Sequence, residues 1–415
     1  MQIVFENSNL IYLNTFMTPS EFSKVRGGDR IQEKGTLATF TSAGWIFSTW
    51  SFEEAEEEGG TVLVKGKAFA GSTLKDYFAR DEEPSLVQEL PSGQLNKAKL
   101  CRAASLVCMI LQEAINLTVP LKACGAGNIF VADDFSKVLF LPPALFEPSV
   151  KRCALKEDFS GYKEEYGFYV NPLLKQKNAL RFTQAVIAYR VLTKTYPFDA
   201  KNIQELENDM ADQNFTPLRN MIWALDSKLS SYVDNSLSLG AALRPSGKTA
   251  KFTEFKKTAI AELSSSSANK ENLTLTFPLS SLYRELGLTQ NGGIPSDGRL
   301  LPVIRKSDIS NEAFDAIVKK ESLQRARALK TKRFIKKNKT NLISAAIALA
   351  VVLTASFSAY NIYLSRPTTK GLDSFKTAEI FYSSYNNLNM NNAQCSVKGK
   401  QLNSILDAIS QIFVA

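Results

Sequence analysis

The sequence predicts an α+β inner domain tied to a single membrane-spanning helix. Three observations predict it. Residues 342–364 are 23 positions without a charge, the first 65 residues alternate β-rich runs with glycine turns, and residues 71–239 carry apolar side chains at helical spacing. The 415 residues, 44% hydrophobic and 22% charged, suffice for two domains.

In chain order, residues 2–5 and 11–18 read as short strands, and 23–35 as a polar loop turning at Gly27-Gly28. Residues 36–40 and 45–52 are β-rich, with Ser42-Ala43-Gly44 as a hairpin loop. The acidic run 53–58 reads as a solvated loop or helix end that closes at Gly59-Gly60, before a strand at 61–64. Residues 1–65 thus make a small β-rich unit. Gly71 to Phe78 opens a capped helix, and 96–115 holds Leu100, Ala103, Ala104, Val107, Ile110, Leu111 and Ile115 at a helical period. Two strands at 128–131 and 137–141 flank an Asp133-Asp134 turn, where aspartate is favoured for backbone reasons. An apolar helix is expected at 179–195, closed by Tyr196-Pro197-Phe198, with two or three more over 203–239.

This order resembles that of eukaryotic-like protein kinases over residues 1–263. Gly71 to Phe78 looks like the stretch after the kinase hinge. Leu121-Lys122 and Asn128-Ile129-Phe130-Val131 resemble the catalytic loop and the strand after it. Tyr169-Val170-Asn171-Pro172 looks like the Tyr-x-Ala-Pro-Glu element. The run from Tyr189 to Phe198 is similar to Tyr-x-Leu-Leu-Thr-Gly-x-x-Pro-Phe, and Arg244-Pro245-Ser246 to the Arg-Pro-Ser/Thr close of the last helices. The resemblance implies a bilobal domain with a small lobe at 1–65 and a helical lobe at 72–263.

The chemistry that the resemblance implies is mostly missing. Phosphoryl transfer needs an Asp to accept the substrate proton, an Asn and an Asp for metal ions, and a Lys for the phosphates. Residues 116–128 contain no acid, and Leu141-Pro142-Pro143 stands where Asp-Phe-Gly belongs. No glycine-rich loop occurs, and Lys65 and Lys67 are the only candidates for the phosphate lysine. Asn128 alone survives, as a vestigial cofactor-binding position; an asparagine capping a turn is its ordinary reading. Ser246-Gly247-Lys248-Thr249 recurs in phosphate loops, but no strand leads into it, so it reads as a loop. The chain has no histidine, which excludes Ser-His-Asp and Cys-His nucleophile systems and most zinc sites. Five cysteines form no CxxC pair. The expectation is a catalytically inactive, pseudokinase-like domain with no catalytic residues, metal or cofactor.

A serine-rich linker at 264–269 and a turn-rich segment to 309 precede a helical stretch at 310–341. Its apolar stripe is too broken for a coiled coil but would allow pairing with a copy of itself, and hence a homodimer. Arg325, Arg327, Lys330, Lys332, Arg333, Lys336, Lys337 and Lys339 crowd its end with no acid among them. Beside a span, such a run is a positive-inside signal with affinity for anionic lipid headgroups, in preference to a nucleic-acid site. This places residues 1–340 in the cytoplasm and 365–415 outside an inner membrane. The N-terminal residues lack a signal-peptide pattern, so the span is expected to serve as its own insertion signal. Helices are expected at 375–388 and 401–413, and the apolar Ile412-Phe413-Val414-Ala415 end suggests an outer segment that needs a partner or belongs to something longer. The functional expectation is a signalling or scaffold protein whose inner domain binds a partner protein. The alternatives are an unrelated α+β domain in an envelope complex and an atypical phosphotransferase.

Overall fold

The computed structural model describes residues 3–4, 10–81, 91–156, 159–222, 225–238, 276–295, 300, 305, 312–365, 367–387, 389–397, 404, 406–408 and 410–411. It is mixed α+β, in two compact units, Met1–Leu323 and Gln324–Ala415. The linker at 264–269, Arg244-Pro245-Ser246, Ser246-Gly247-Lys248-Thr249, Glu82-Glu83, Trp223-Ala224 and the last four residues lie outside the described residues.

Strands β1 (Ile3–Val4) and β2 (Leu10–Asn14) start the first unit. Two short helices follow, α1 (Pro19–Lys24) and α2 (Gly27–Ile31), where the sequence suggested a loop. Thr18 and Glu21 form a reciprocal cap at the start of α1. Gly27 is needed for packing, because a Cβ there would lie 2.4 Å from the Phe22 ring. The chain then runs through β3 (Gly35–Thr41), β4 (Gly44–Trp50), β5 (Phe52–Glu58) and β6 (Thr61–Lys67). Gly59 and Gly60, at φ 57° and 77°, make the tight β5–β6 turn, which requires left-handed backbone at both central positions. The acidic run is therefore a strand, and neither loop nor helix end. Strand β5 lies at the edge of the four-stranded sheet β1-β2-β6-β5, where repeated glutamates discourage edge-to-edge pairing.

The remaining strands change the expected division of the domain. Strands β7 (Ser72–Thr73), β8 (Ile129–Val131) and β9 (Lys137–Phe140) join β4 and β3 in a five-stranded antiparallel sheet of order β4-β3-β9-β8-β7. Thr36 pairs with Phe140, Leu37 with Leu139, Ala38 with Val138 and Thr39 with Lys137. Residues 1–65 are therefore not a closed β unit, since two of their strands share a sheet with residues 72–140. The reason is non-local: β3 buries Ala38 only by lying beside Val138 and Leu139, which are themselves buried.

Helices fill the rest of the unit. Thr73 and Asp76 exchange side-chain and backbone hydrogen bonds, each of 3.0 Å, at the start of α3 (Leu74–Asp81). The long α4 (Pro91–Asn116) packs on α7 (Gln176–Thr193), in which every residue from 182 to 193 is buried. Gln184 of α7 donates to the Cys108 carbonyl at 2.7 Å and accepts the Tyr232 hydroxyl at 2.5 Å. It thereby ties α4 and α7 to a later helix, satisfying a buried amide as burial demands. Between them lie α5 (Pro143–Lys156) and α6 (Phe159–Tyr162), absent from the sequence expectation, and a π turn at Lys163–Gly167. Helices α8 (Ile203–Asp212) and α9 (Ser227–Ser238) follow. The supposedly turn-rich segment holds an amphipathic helix, α10 (Leu279–Leu286), which buries Leu282, Tyr283 and Leu286. The first turns of α11 (Glu312–Lys337) are held by Glu321, which accepts from Asn220 at 3.1 Å and Arg219 at 3.3 Å.

In the second unit α12 (Lys339–Leu364) is long and apolar enough to cross a membrane, and none of its residues is buried. Helices α13 (Ser374–Asn386) and α14 (Met390–Cys395) follow, with Ala393 and Leu406 at the centre of a small apolar cluster. The described residues between 404 and 411 are helical, within the helix expected there.

Candidate functional site

Of the residues singled out by the kinase resemblance, Asn128 sits at the centre of a buried, hydrogen-bonded knot. This residue ends a 3₁₀ turn, Ala126–Asn128, and is fully buried. Its Oδ1 accepts the Gly125 N–H at 2.6 Å, and its Nδ2 donates to the Leu141 carbonyl at 3.0 Å. The Asn128 backbone carbonyl also accepts the Leu141 N–H at 2.9 Å. The side chain thus clamps the loop before β8 to the residue after β9, with both ends of its amide engaged. Cys124 lies in the same knot, its Sγ 3.6 Å from the Leu141 carbonyl, and burial pushes its thiol up to about 12.

Behind the clamp the backbone runs very close. A Cβ on Gly125 would lie 2.1 Å from the Glu165 carbonyl oxygen and 2.5 Å from the Tyr166 Cα, both in the π turn. The buried Glu165 carboxylate accepts Lys75 Nζ at 2.6 Å. Gly125→Ala is therefore expected to cost about 1–3 kcal/mol of stability through overpacking against backbone. Gly161→Ala, which meets nothing within 4 Å, should unfold at the wild-type urea concentration or slightly above. Urea unfolding of the full chain in detergent, followed by circular dichroism, measures both.

Where the resemblance calls for Asp-Phe-Gly, Pro143 begins α5 directly, as its fixed φ allows at a first helical position. Pro148 then lies inside the helix and donates no hydrogen bond to the Ala144 carbonyl four residues back. Arg30 of α2 supplies that bond instead, Nη1 to oxygen at 2.5 Å, while Glu33 Oε2 accepts the Ala144 N–H at 2.6 Å. Glu33 also pairs with Lys122, and Glu21 with Arg152. The α1–α2 segment is thus latched onto α5, and Lys122 is engaged in that latch.

Lys65 projects from β6 in the other sheet. It pairs with Glu56, and with Glu54 at 3.5 Å, on the acidic edge strand. The hydrogen bond that it donates to Glu56 raises its pKa above the ordinary lysine value. Lys67 ends the same strand. Neither lies on the sheet that carries β8 and β9. Among the described residues no group of three or more His, Cys, Asp or Glu side chains is placed to hold a metal ion.

The basic residues form a second surface. Arg325, Arg327, Lys330, Lys332, Arg333, Lys336 and Lys337 fall on the last turns of α11, and Lys339 opens α12 one residue beyond the break at Asn338. Arg327, Lys330, Lys332, Lys337 and Lys339 are exposed.

A third feature was not legible beforehand. A groove of about 600 Å³ opens between the loop after α4, residues 118–123, and the stretch 170–180 that leads into α7. Asn128 and Leu141 are not part of its lining. Thr118 and Gln176 on its two rims hold left-handed backbone at φ 57° and 50°, unusual for side chains larger than glycine. Asn171 in its wall is 1% exposed; its Oδ1 accepts the Leu173 N–H at 3.0 Å, and its Nδ2 has no partner. These positions are scattered in sequence, and only the unusual backbone angles mark them. No protein-family model and no curated protein matches this chain.

Proposed function

We propose that the protein is a single-pass inner-membrane scaffold whose cytoplasmic, pseudokinase-like domain binds a partner protein without catalysing phosphoryl transfer. The carrying observation is the β3–β9 ladder. It ties residues 36–39 edge to edge with residues 137–140, one stretch from each expected lobe, by backbone hydrogen bonds. Asn128, Lys122 and Lys65 are each engaged with protein groups, and the segment after β9 is a latched helix in place of a mobile loop. The basic end of α11 supports an orientation with the first unit in the cytoplasm and anionic headgroups beside it. The five-stranded sheet shared by residues 35–50 and 72–140 also favours a second reading, an α+β scaffold of an envelope complex unrelated to kinases. Both readings make the domain a docking module. Purified full-length protein incubated with magnesium and radiolabelled ATP should transfer no phosphate to itself or to added protein substrates. Stoichiometric γ-phosphate transfer would overturn the proposal.

A further inference from the structure

We infer that the groove between residues 118–123 and 170–180 seats an extended acidic segment of the partner protein. This rests on the partner-binding reading above and names the chemistry of what is bound. The first argument is charge. The groove is lined by Lys122, Lys175 and Lys177 and by no Asp or Glu. Lys122 is already paired with Glu33, whereas Lys175 and Lys177 are exposed and make no ion pair among the described residues. Covering two unpaired ammonium groups with an apolar or basic partner would cost desolvation without return, so an occupant must bring carboxylates.

The second argument is the floor. Val119, Leu121, Leu174 and Leu180 line it, and a space of about 600 Å³ takes a few side chains and excludes a folded domain. A segment alternating acidic and apolar residues presents one set to the lysines and the other to the floor, as an extended chain does. The third is the Asn171 Nδ2, a buried donor without an acceptor in the wall. A buried donor without an acceptor is destabilising, which marks this wall of the groove as shaped for something other than stability. The left-handed Thr118 and Gln176 place the cost of strained backbone at the same rims, as at ligand clamps.

The test uses the full chain in detergent micelles and a short fluorescein-labelled peptide of alternating glutamate and valine with one serine, read by anisotropy. The wild type should bind it, more weakly as salt rises. The double variant Lys175→Glu with Lys177→Glu should bind it about tenfold more weakly or worse. That variant should instead bind the peptide in which lysine replaces glutamate, a rescue that an unfolded variant cannot give. No binding by the wild type, or equal binding by the double variant, overturns the inference. The second result would assign the peptide to the basic end of α11. Mass measurement of the peptide after incubation with magnesium and ATP tests the non-catalytic reading separately. A peptide of unchanged mass that ignores the lysine reversals removes the groove and leaves that reading standing.

Discussion

Leu349→Arg together with Val352→Arg is expected to release the protein from alkaline-washed membranes. The two positions are three residues apart near the middle of α12, on one face of the helix. The stretch 342–364 contains ten Leu, Ile, Val or Phe residues, together worth about 3–6 kcal/mol of insertion at ~0.3–0.6 kcal/mol each. Each arginine near the helix centre costs about 2.5–3.5 kcal/mol. Two of them offset the whole gain, so integral association should be lost, with at most a salt-sensitive attachment through the basic end of α11. The conservative pair Leu349→Ile with Val352→Ile should remain in the pellet. Cys395 gives the orientation in the same cells. It is partly exposed and should react with a membrane-impermeant thiol reagent applied from outside, while the buried Cys101, Cys108 and Cys124 stay unreacted. Alkaline resistance of the double-arginine variant would remove the span.

The second large effect is expected at Asn128. Alanine there leaves the Gly125 N–H and the Leu141 carbonyl without their side-chain partner in a buried site. At about 1–3 kcal/mol for each unsatisfied group, Asn128→Ala should lose roughly 2–6 kcal/mol. The melting temperature should fall by about 2–4 °C per kcal/mol lost. Asn128→Asp separates a structural clamp from a nucleotide site. Its carboxylate can still accept from Gly125 but can donate to Leu141 only when protonated. Burial and the facing carbonyl raise the folded-state pKa above the unfolded value of roughly 3.9. The variant should then be closest to wild type below that value and lose stability as pH rises through the folded pKa. Thermal melts across the acid range measure this; a melting temperature independent of pH for Asn128→Asp would contradict the clamp.

Local signals were legible where one periodicity dominated. The stretch 96–115 and the uncharged run 342–364 read as helices because nothing in them competes with the apolar pattern. The 128–141 hairpin read correctly because Asp133-Asp134 separates two short apolar strands. Reading failed where a residue type carries two meanings. Leu141-Pro142-Pro143 read only as a missing Asp-Phe-Gly, yet Pro143 begins α5, and Arg30 replaces the bond that Pro148 removes. Gly27-Gly28 read as a turn, yet Gly27 is there for the Phe22 ring. The glutamates of β5 read as solvated because strand edges and loops tolerate charge equally well. At the site, Asn128 and Lys122 were legible as candidate positions. The clamp, the latch and the groove were not, since each joins residues that only the folded backbone brings together.

The β3–β9 ladder also sets an order of events during synthesis. Strand β9 follows β3 by about a hundred residues, which ribosomes emit at roughly 5–20 residues per second. For some 5–20 s the β3–β4 hairpin must therefore wait with one edge unpaired and Ala38, buried in the finished sheet, uncovered, an exposure that invites chaperones. Late pairing of this kind is slow, because the intervening loop must close before any contact rewards it. The sheet can be complete while residues 342–364 are still untranslated, so the first unit can fold before the apolar α12 has been made.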